Sequence, residues 1–167
     1  SMLLSSLAAT PNSSRLIPGA GKYAEKKPTS SGTWEDNTQP LPVLPGGREA
    51  VAFPLKAGAD LVDGEVFSIE LTAATLDLSA AEVVLVRESA GAIIGKDLNF
   101  TLSQGAGIDG ADLIQCDLVY ESAWQESSNL CLLLYAHRRQ EGGSANLQIS
   151  NRVLSQFDGG RTIHLDD

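Results

Sequence analysis

After residue 47 the chain alternates apolar and polar positions in short runs separated by turn residues. The clearest run is 64–73, where Phe67, Ile69, Leu71 and Ala73 share one face and Val66, Ser68, Glu70 and Thr72 the other. Successive side chains of a strand point to opposite faces, so a period of two predicts a half-buried strand. Val51, Phe53 and Leu55 alternate in the same way over 48–56, with Pro54 predicting an edge position because proline lacks a ladder donor. Residues 82–87 form a short β-branched run that fits a strand buried on both faces. Further strands are predicted over 96–103 (Leu98, Phe100, Leu102), 111–120 (Ile114, Cys116, Leu118, Tyr120), 129–138, 145–153 (Leu147, Ile149, Asn151, Val153) and 161–165. The stretch 129–138 is the most apolar of all, with Leu130 through Ala136 unbroken except for Cys131 and Tyr135.

No window of helical length has a convincing 3.6-residue period, 73–86 being the best rival, and no internal repeat is evident. About eight short strands at this spacing predict an all-β domain: a single antiparallel β-sandwich, jelly-roll-like, or a barrel, over residues 48–167.

Residues 1–47 follow a different rule. Their apolar residues are isolated hooks: Leu3, Leu4 and Leu7, then Leu16 and Ile17, then Tyr23, Trp34, Leu41, Val43 and Leu44. Ser, Thr, Gly and Pro separate them, and all seven prolines of the chain fall at or before Pro54. Such a segment cannot build a core and is expected to run extended, PPII-like around residues 39–45. Fixing the backbone costs roughly 1–2 kcal/mol per residue, so an ordered arm must be held by contacts elsewhere. Fully extended it would reach at most ~150 Å, enough to cross onto a neighbouring subunit or to fold back on its own domain.

The charge of −9 and pI near 4.6 argue against nucleic acid or an anionic membrane as partner, since both reward clustered Lys and Arg. Lys22, Lys26, Lys27 and the pair Arg138 and Arg139 are the nearest approach to a basic cluster and read as solvated surface. No apolar run approaches the ~20 residues that span a bilayer, and the first ten residues lack the basic and apolar regions of a secretory signal. Two Asn-x-Ser/Thr matches, at Asn12 and Asn99, are short enough to arise by chance.

Candidate chemistry is sparse. Cys116 and Cys131 would face one another if their runs paired as a hairpin about Ala123 and Trp124, and a bridge there would contribute roughly 3 kcal/mol. Their Leu and Ile neighbours favour buried free thiols instead. The two histidines, His137 and His164, sit in no metal-ligand spacing, and no nucleophile elbow or phosphate loop is present. Asp109 and Asp112 flank a glycine-rich loop that offers oxygen ligands for calcium but lacks the ordered carboxylate pattern, so a plain turn is expected; Asp60, Asp63 and Glu65 read the same way. Trp34, in the arm, and Trp124, at the expected hairpin tip, are candidate contacts for a protein pocket or a sugar ring.

The reading is a non-catalytic structural or assembly protein without cofactor or metal, its partners other protein subunits of a homo-oligomer. A virion component such as a capsid decoration, cement or tail protein fits this form. The expected partner-binding residues are Leu3, Leu4, Leu7, Tyr23, Trp34, Leu41, Val43, Leu44 and Trp124. The alternative is a carbohydrate-binding β-sandwich module using Trp124 and the acidic loops, and a jelly-roll enzyme with a metal at His137 or His164 ranks last.

Overall fold

The structure, a computed structural model, describes residues 15–19, 33–34, 37–40, 48–126, 129–153 and 156–165. Its strands are β1 (Leu16–Pro18), β2 (Thr33–Trp34), β3 (Asn37–Pro40), β4 (Glu49–Ala57), β5 (Val66–Thr72), β6 (Leu76–Ser89), β7 (Ala92–Leu98), β8 (Phe100–Ser103), β9 (Leu113–Val119), β10 (Asn129–Arg138), β11 (Ser144–Asn151) and β12 (Gln156–His164). Two five-stranded antiparallel sheets form a β-sandwich. Sheet I runs β1-β4-β10-β6-β7, sheet II runs β12-β11-β5-β9-β8, and β2 and β3 make a separate two-stranded ribbon. Among the described residues no helix is long and apolar enough to cross a membrane.

One core joins the facing sides of the two sheets. Val51, Phe53, Leu55, Val83, Leu85, Leu130, Leu132 and Leu134 of sheet I meet Phe67, Ile69, Leu71, Ile114, Leu118, Leu147 and Ile149 of sheet II, all buried. These are the alternating positions of each strand, as a half-buried strand requires.

Several sequence expectations need correction. The alternation over 96–103 is not one strand. Leu98 pairs with Val83 in sheet I and Phe100 with Cys116 in sheet II, so the chain changes sheets at Asn99. The period survives because Leu98, Phe100 and Leu102 all pack against the same core. The strand expected over 82–87 extends from Leu76 to Ser89 and takes in all but the first three residues of the helical rival. Its inward residues are Leu76 and Leu78, then Ala81, Val83 and Leu85, so the period slips partway along. Tyr135 of β10 faces Glu82 but His137 faces Asp77, which leaves three extra residues on β6 in a bulge. The Asp77 carboxylate holds that bulge by accepting from Ser79 N at 3.1 Å and Ser79 Oγ at 2.6 Å. These bonds, with Arg139 beside it, lower its pKa.

Pro54 is not on a bare edge, because β1 pairs beside it: Leu16, Ile17 and Pro18 face Ala57, Lys56 and Leu55. The chemical reason for the expectation still holds. The Pro54 carbonyl accepts from Gly19 N at 3.1 Å, so Pro54 turns its backbone toward β1 and its hydrogen-free nitrogen away from the β10 ladder.

The arm is therefore not wholly separate from the domain. Leu16 is fully buried in the core, the Arg15 carbonyl accepts from Gly58 N at 2.9 Å, and Arg161 Nη1 of β12 donates to the Gly19 carbonyl at 3.0 Å. β1, itself the outer strand of sheet I, thus lies between β4 and the outer strand of sheet II, β12.

Candidate interaction surfaces

Strands 4, 6 and 10 give sheet I a second apolar face. Ala50, Ala52, Val84, Val86, Cys131, Leu133 and Tyr135 form a cluster distinct from the core between the sheets, with Ile93 packed against it. They alternate with the inward residues of the same strands, so they occupy the face turned away from sheet II. Each is no more than 4% exposed. Arg48 closes one end of this face, donating to the Ala80 carbonyl at 3.1 Å and pairing with Glu82 at 3.3 Å. At the other end Asn129 Nδ2 donates to buried Glu88 at 3.3 Å.

The outer face of sheet II is polar. Gln115 Nε2 donates to Glu70 at 3.0 Å, Thr162 Oγ1 to Asn146 Oδ1 at 2.6 Å, and Arg152 Nε to Ser68 Oγ at 3.0 Å, while Arg152 also pairs with Asp117 at 3.1 Å. Cross-strand pairs of this kind satisfy side chains that water also reaches.

A cleft of about 560 Å³ opens beside the β7, β8 and β9 edge, lined in part by Lys96, Asn99, Phe100, Cys116 and Trp124. β8 pairs with Leu113 to Cys116, and among the described residues Asp117 to Val119 have no strand neighbour on that side. Burial, and secondarily the Asp117 charge, pushes the Cys116 thiol up to about 12. The thiol is therefore protonated at neutral pH and a poor nucleophile.

Of the expected contact residues, Leu3, Leu4, Leu7, Tyr23, Leu41, Val43 and Leu44 lie outside the described residues, as does Asn12. Trp34 is placed in β2 by its backbone. Trp124 is a correction to the expected hairpin tip: it sits in a 3-10 turn, Ser122–Glu126, that carries the chain from sheet II to sheet I. Its ring is 4% exposed and meets Tyr120 edge to face, centroids 5.2 Å apart. It packs at the end of the core and presents no open face to a sugar.

Because β9 and β10 belong to different sheets, Cys116 and Cys131 do not face one another across a hairpin; both are free and buried. His137 and His164 are exposed on strands of different sheets, and among the described residues no group of three or more His, Cys, Asp or Glu is placed to hold a metal. Asp112 accepts from Gly105 N at 3.0 Å, and Asp63 accepts from Ser122 N. Glu65 accepts from Val62 N at 2.9 Å and from Asn151 Nδ2 at 3.1 Å. The acidic turns thus use their carboxylates to organise loops. The apolar outer face was not identified as a contact surface from the sequence, although its signal was present: 82–87 and 130–136 are the two runs that do not alternate.

No family model matches this chain, and no curated protein matches it. Solved structures that are similar at low identity include the following three. AvmM, which catalyses macrocyclization in alchivemycin A biosynthesis, is 8% identical over 71% of this chain and 81% of its own, with a TM-score of 0.40. The collagen-binding subdomain of the Enterococcus faecalis surface protein ACE is 12% identical over 74% of this chain and 92% of its own, with a TM-score of 0.39. A pore-forming protein is 12% identical over 71% and 75%, with a TM-score of 0.19. At these scores none of the three bears on what this chain does.

Proposed function

We propose that this protein is a non-catalytic assembly subunit that joins copies of itself through the first part of its N-terminal arm. The observation that carries this reading is the docking of β1. It pins the arm to the β4 edge by main-chain bonds and by Leu16 in the core, so residues 1–14, with Leu3, Leu4 and Leu7, start from a fixed point on the domain. Strand addition at a sheet edge is a common way for one protein to hold an extended segment. Fourteen residues reach at most ~50 Å, enough to meet an adjacent copy. The β4 edge beyond Pro54 has no strand partner among the described residues, and an unpaired edge is a template for another chain.

Within this class the form fits a capsid decoration, cement or tail protein: an acidic sandwich, a core-poor arm and no recognisable catalytic pattern. The glycan-binding alternative loses its main residue with the burial of Trp124.

Light scattering on the full chain, alone and with Leu3, Leu4 and Leu7 all changed to Ser, tests the proposal. An oligomer that becomes a folded monomer in the variant supports it. A monomeric full chain, or a variant that keeps its oligomeric mass, overturns it.

A further inference from the structure

We propose that the cleft beside β9 binds an extended segment of another protein, paired as an added strand against Asp117 to Val119 and carrying a carboxylate two residues from a large apolar side chain. This goes beyond the assembly reading and does not depend on it.

The first argument is main-chain geometry. Tyr120 N donates to the Glu65 carbonyl at 2.8 Å, on the β5 side. Bonding direction alternates along an antiparallel strand, so Asp117 and Val119 turn their N–H and C=O groups the other way, toward the cleft they line. β8 occupies that side only as far as Cys116, which faces Phe100. The residues before Asn99 belong to sheet I, so the chain does not continue the line of β8 past that point. Among the described residues no strand takes its place, and an open edge is a template for another chain. Two donors and two acceptors alternating along an edge match a second main chain, which is how added strands are held.

The second argument is the floor of the cleft. Its volume of about 560 Å³ lies within the ~300–1,000 Å³ usual for ligand sites. Buried Leu85, Leu118 and Trp124 line it together with partly buried Leu98 and Phe100. A strand continuing the line of β8 would present every second side chain on the face of Phe100, against these residues.

The third argument is Lys96. It faces Leu85 across β6 and β7, directly opposed residues share a face, and Leu85 belongs to the core between the sheets. Lys96 therefore points between the sheets, yet it is exposed at the mouth of the cleft. Among the described residues it has no ion-pair partner, whereas Arg152, the other cation lining the cleft, is paired with Asp117 at 3.1 Å. Lys96 and Leu98 lie two residues apart on one face, so a strand beside them meets an apolar position and a cationic one at its own two-residue period. An inward-pointing lysine at an edge repels a purely apolar strand. The same charge favours a strand that brings a carboxylate, so Lys96 selects as well as attracts.

The experiment titrates the isotope-labelled full chain with acetylated, amidated seven-residue peptides on a threonine background, and reads backbone amide shifts and hydrogen exchange. One peptide carries Glu and Leu two positions apart, in either order; its counterpart carries Lys in place of Glu. The Glu peptide should bind and slow exchange at Asp117 and Val119, while Leu118, whose amide faces β5, stays unchanged. The Lys peptide should bind at least about tenfold more weakly, the worth of one charge-assisted contact. Lys96→Glu should invert that preference, which a lysine that only guards the edge would not do. Val119→Pro removes a donor that serves no ladder bond within the domain, and should weaken the Glu peptide by about tenfold while leaving the unfolding midpoint in place. If Val119→Pro fails to fold, the charge reversal at position 96 decides alone.

Octanoate supplies a carboxylate and an apolar tail without a main chain. Octanoate that binds as tightly as the Glu peptide would overturn the strand pairing and assign the cleft to small amphiphiles. No binding of the Glu peptide would also overturn the proposal, as would binding that leaves Asp117 and Val119 unprotected, or a folded Lys96→Glu variant with unchanged preference.

Discussion

The two sheets enclose one core between their facing sides, yet β10 carries buried apolar residues on both its sides whereas β5 and β11 carry them on one. On sheet I the outward positions are Ala, Val, Cys, Leu and Tyr; on sheet II they are mostly Ser, Thr, Glu, Gln, Asp and Asn, several of them bonded to one another across strands. Antiparallel sheets commonly leave one face to water, and sheet II does so. A strand buried on both faces instead reads as a continuous apolar run, as residues 130–136 do. The difference teaches that sheet I buries apolar residues on both faces and sheet II on one.

The largest test of that contrast puts the same charge on each face. Leu133→Asp should cost about 4 kcal/mol or more in urea unfolding, because it buries a carboxylate without a partner, whereas Gln148→Asp on the half-exposed face of sheet II should stay within about 0.5 kcal/mol. Equal, small effects would mean that the outward face of sheet I is not buried.

A second test asks whether β1 belongs to the sandwich as much as β10 does. Leu16→Ala should cost about 2–5 kcal/mol, the range for emptying a full core position, and match Leu132→Ala. If Leu16→Ala were nearly silent, the arm would be a passenger on the β4 edge.

The alkaline limb of stability gives a third. Burial, with smaller contributions from Cys131 and Glu82, pushes Tyr135 up to about 12 from an ordinary 10.0, and burial raises Cys131 and Cys116 from 9.0. The folded state keeps these protons while the unfolded chain begins to release them above pH ~9, so stability is intact below that pH and falls as pH climbs toward ~12. Two of the three groups lie on the outer face of sheet I. Tyr135→Phe and Cys131→Ala together should flatten the fall in urea midpoint between pH 9 and 11 more than Cys116→Ala does.

The smallest effect is expected on sheet II. Asp117→Asn removes the partner of Arg152 at 3.1 Å, but the two side chains are 44% and 61% exposed, so the loss should be at most about 1 kcal/mol and should vanish in high salt.

Much of the fold was legible because its strands are short and mostly half-buried. The alternations at 51–55, 67–73, 114–120 and 147–151 each matched a strand, since burial on one face enforces a period of two. The errors have equally local causes. In β6 the bulge held by Asp77 shifts the inward set from Leu78 to Ala81, and the resulting three- and four-residue spacings, 78, 81 and 85, imitate a helix. At Asn99 the chain crosses between sheets with no break in its pattern, because both sheets point their apolar residues at the same core. Trp124 is expected at a tip only if the runs on either side of it pair as a hairpin, but those runs belong to different sheets and the turn it occupies crosses over the end of the core. The candidate site was the least legible part. The arm's hooks were visible as residues, while the outer face of sheet I is made of Ala, Val, Cys, Leu and Tyr that any core would contain.

The sequence by itself determined the class of this protein: an all-β domain preceded by a segment unable to build its own core, with two thiols in apolar surroundings and no recognisable catalytic spacing. These follow from local rules, the two-residue period of a strand and the cost of ordering a polar, proline-rich chain, which need no partner to operate. Tertiary structure alone decided which strands share a sheet, that Cys116 and Cys131 lie in different sheets, that Leu16 is a core residue contributed by the arm, and that sheet I is buried on both sides. Each of these depends on pairings between residues far apart in the chain, such as Leu16 with Ala57 or Leu132 with Leu85. An apolar side chain records that it will be buried, and the register of the assembled sheets decides against what.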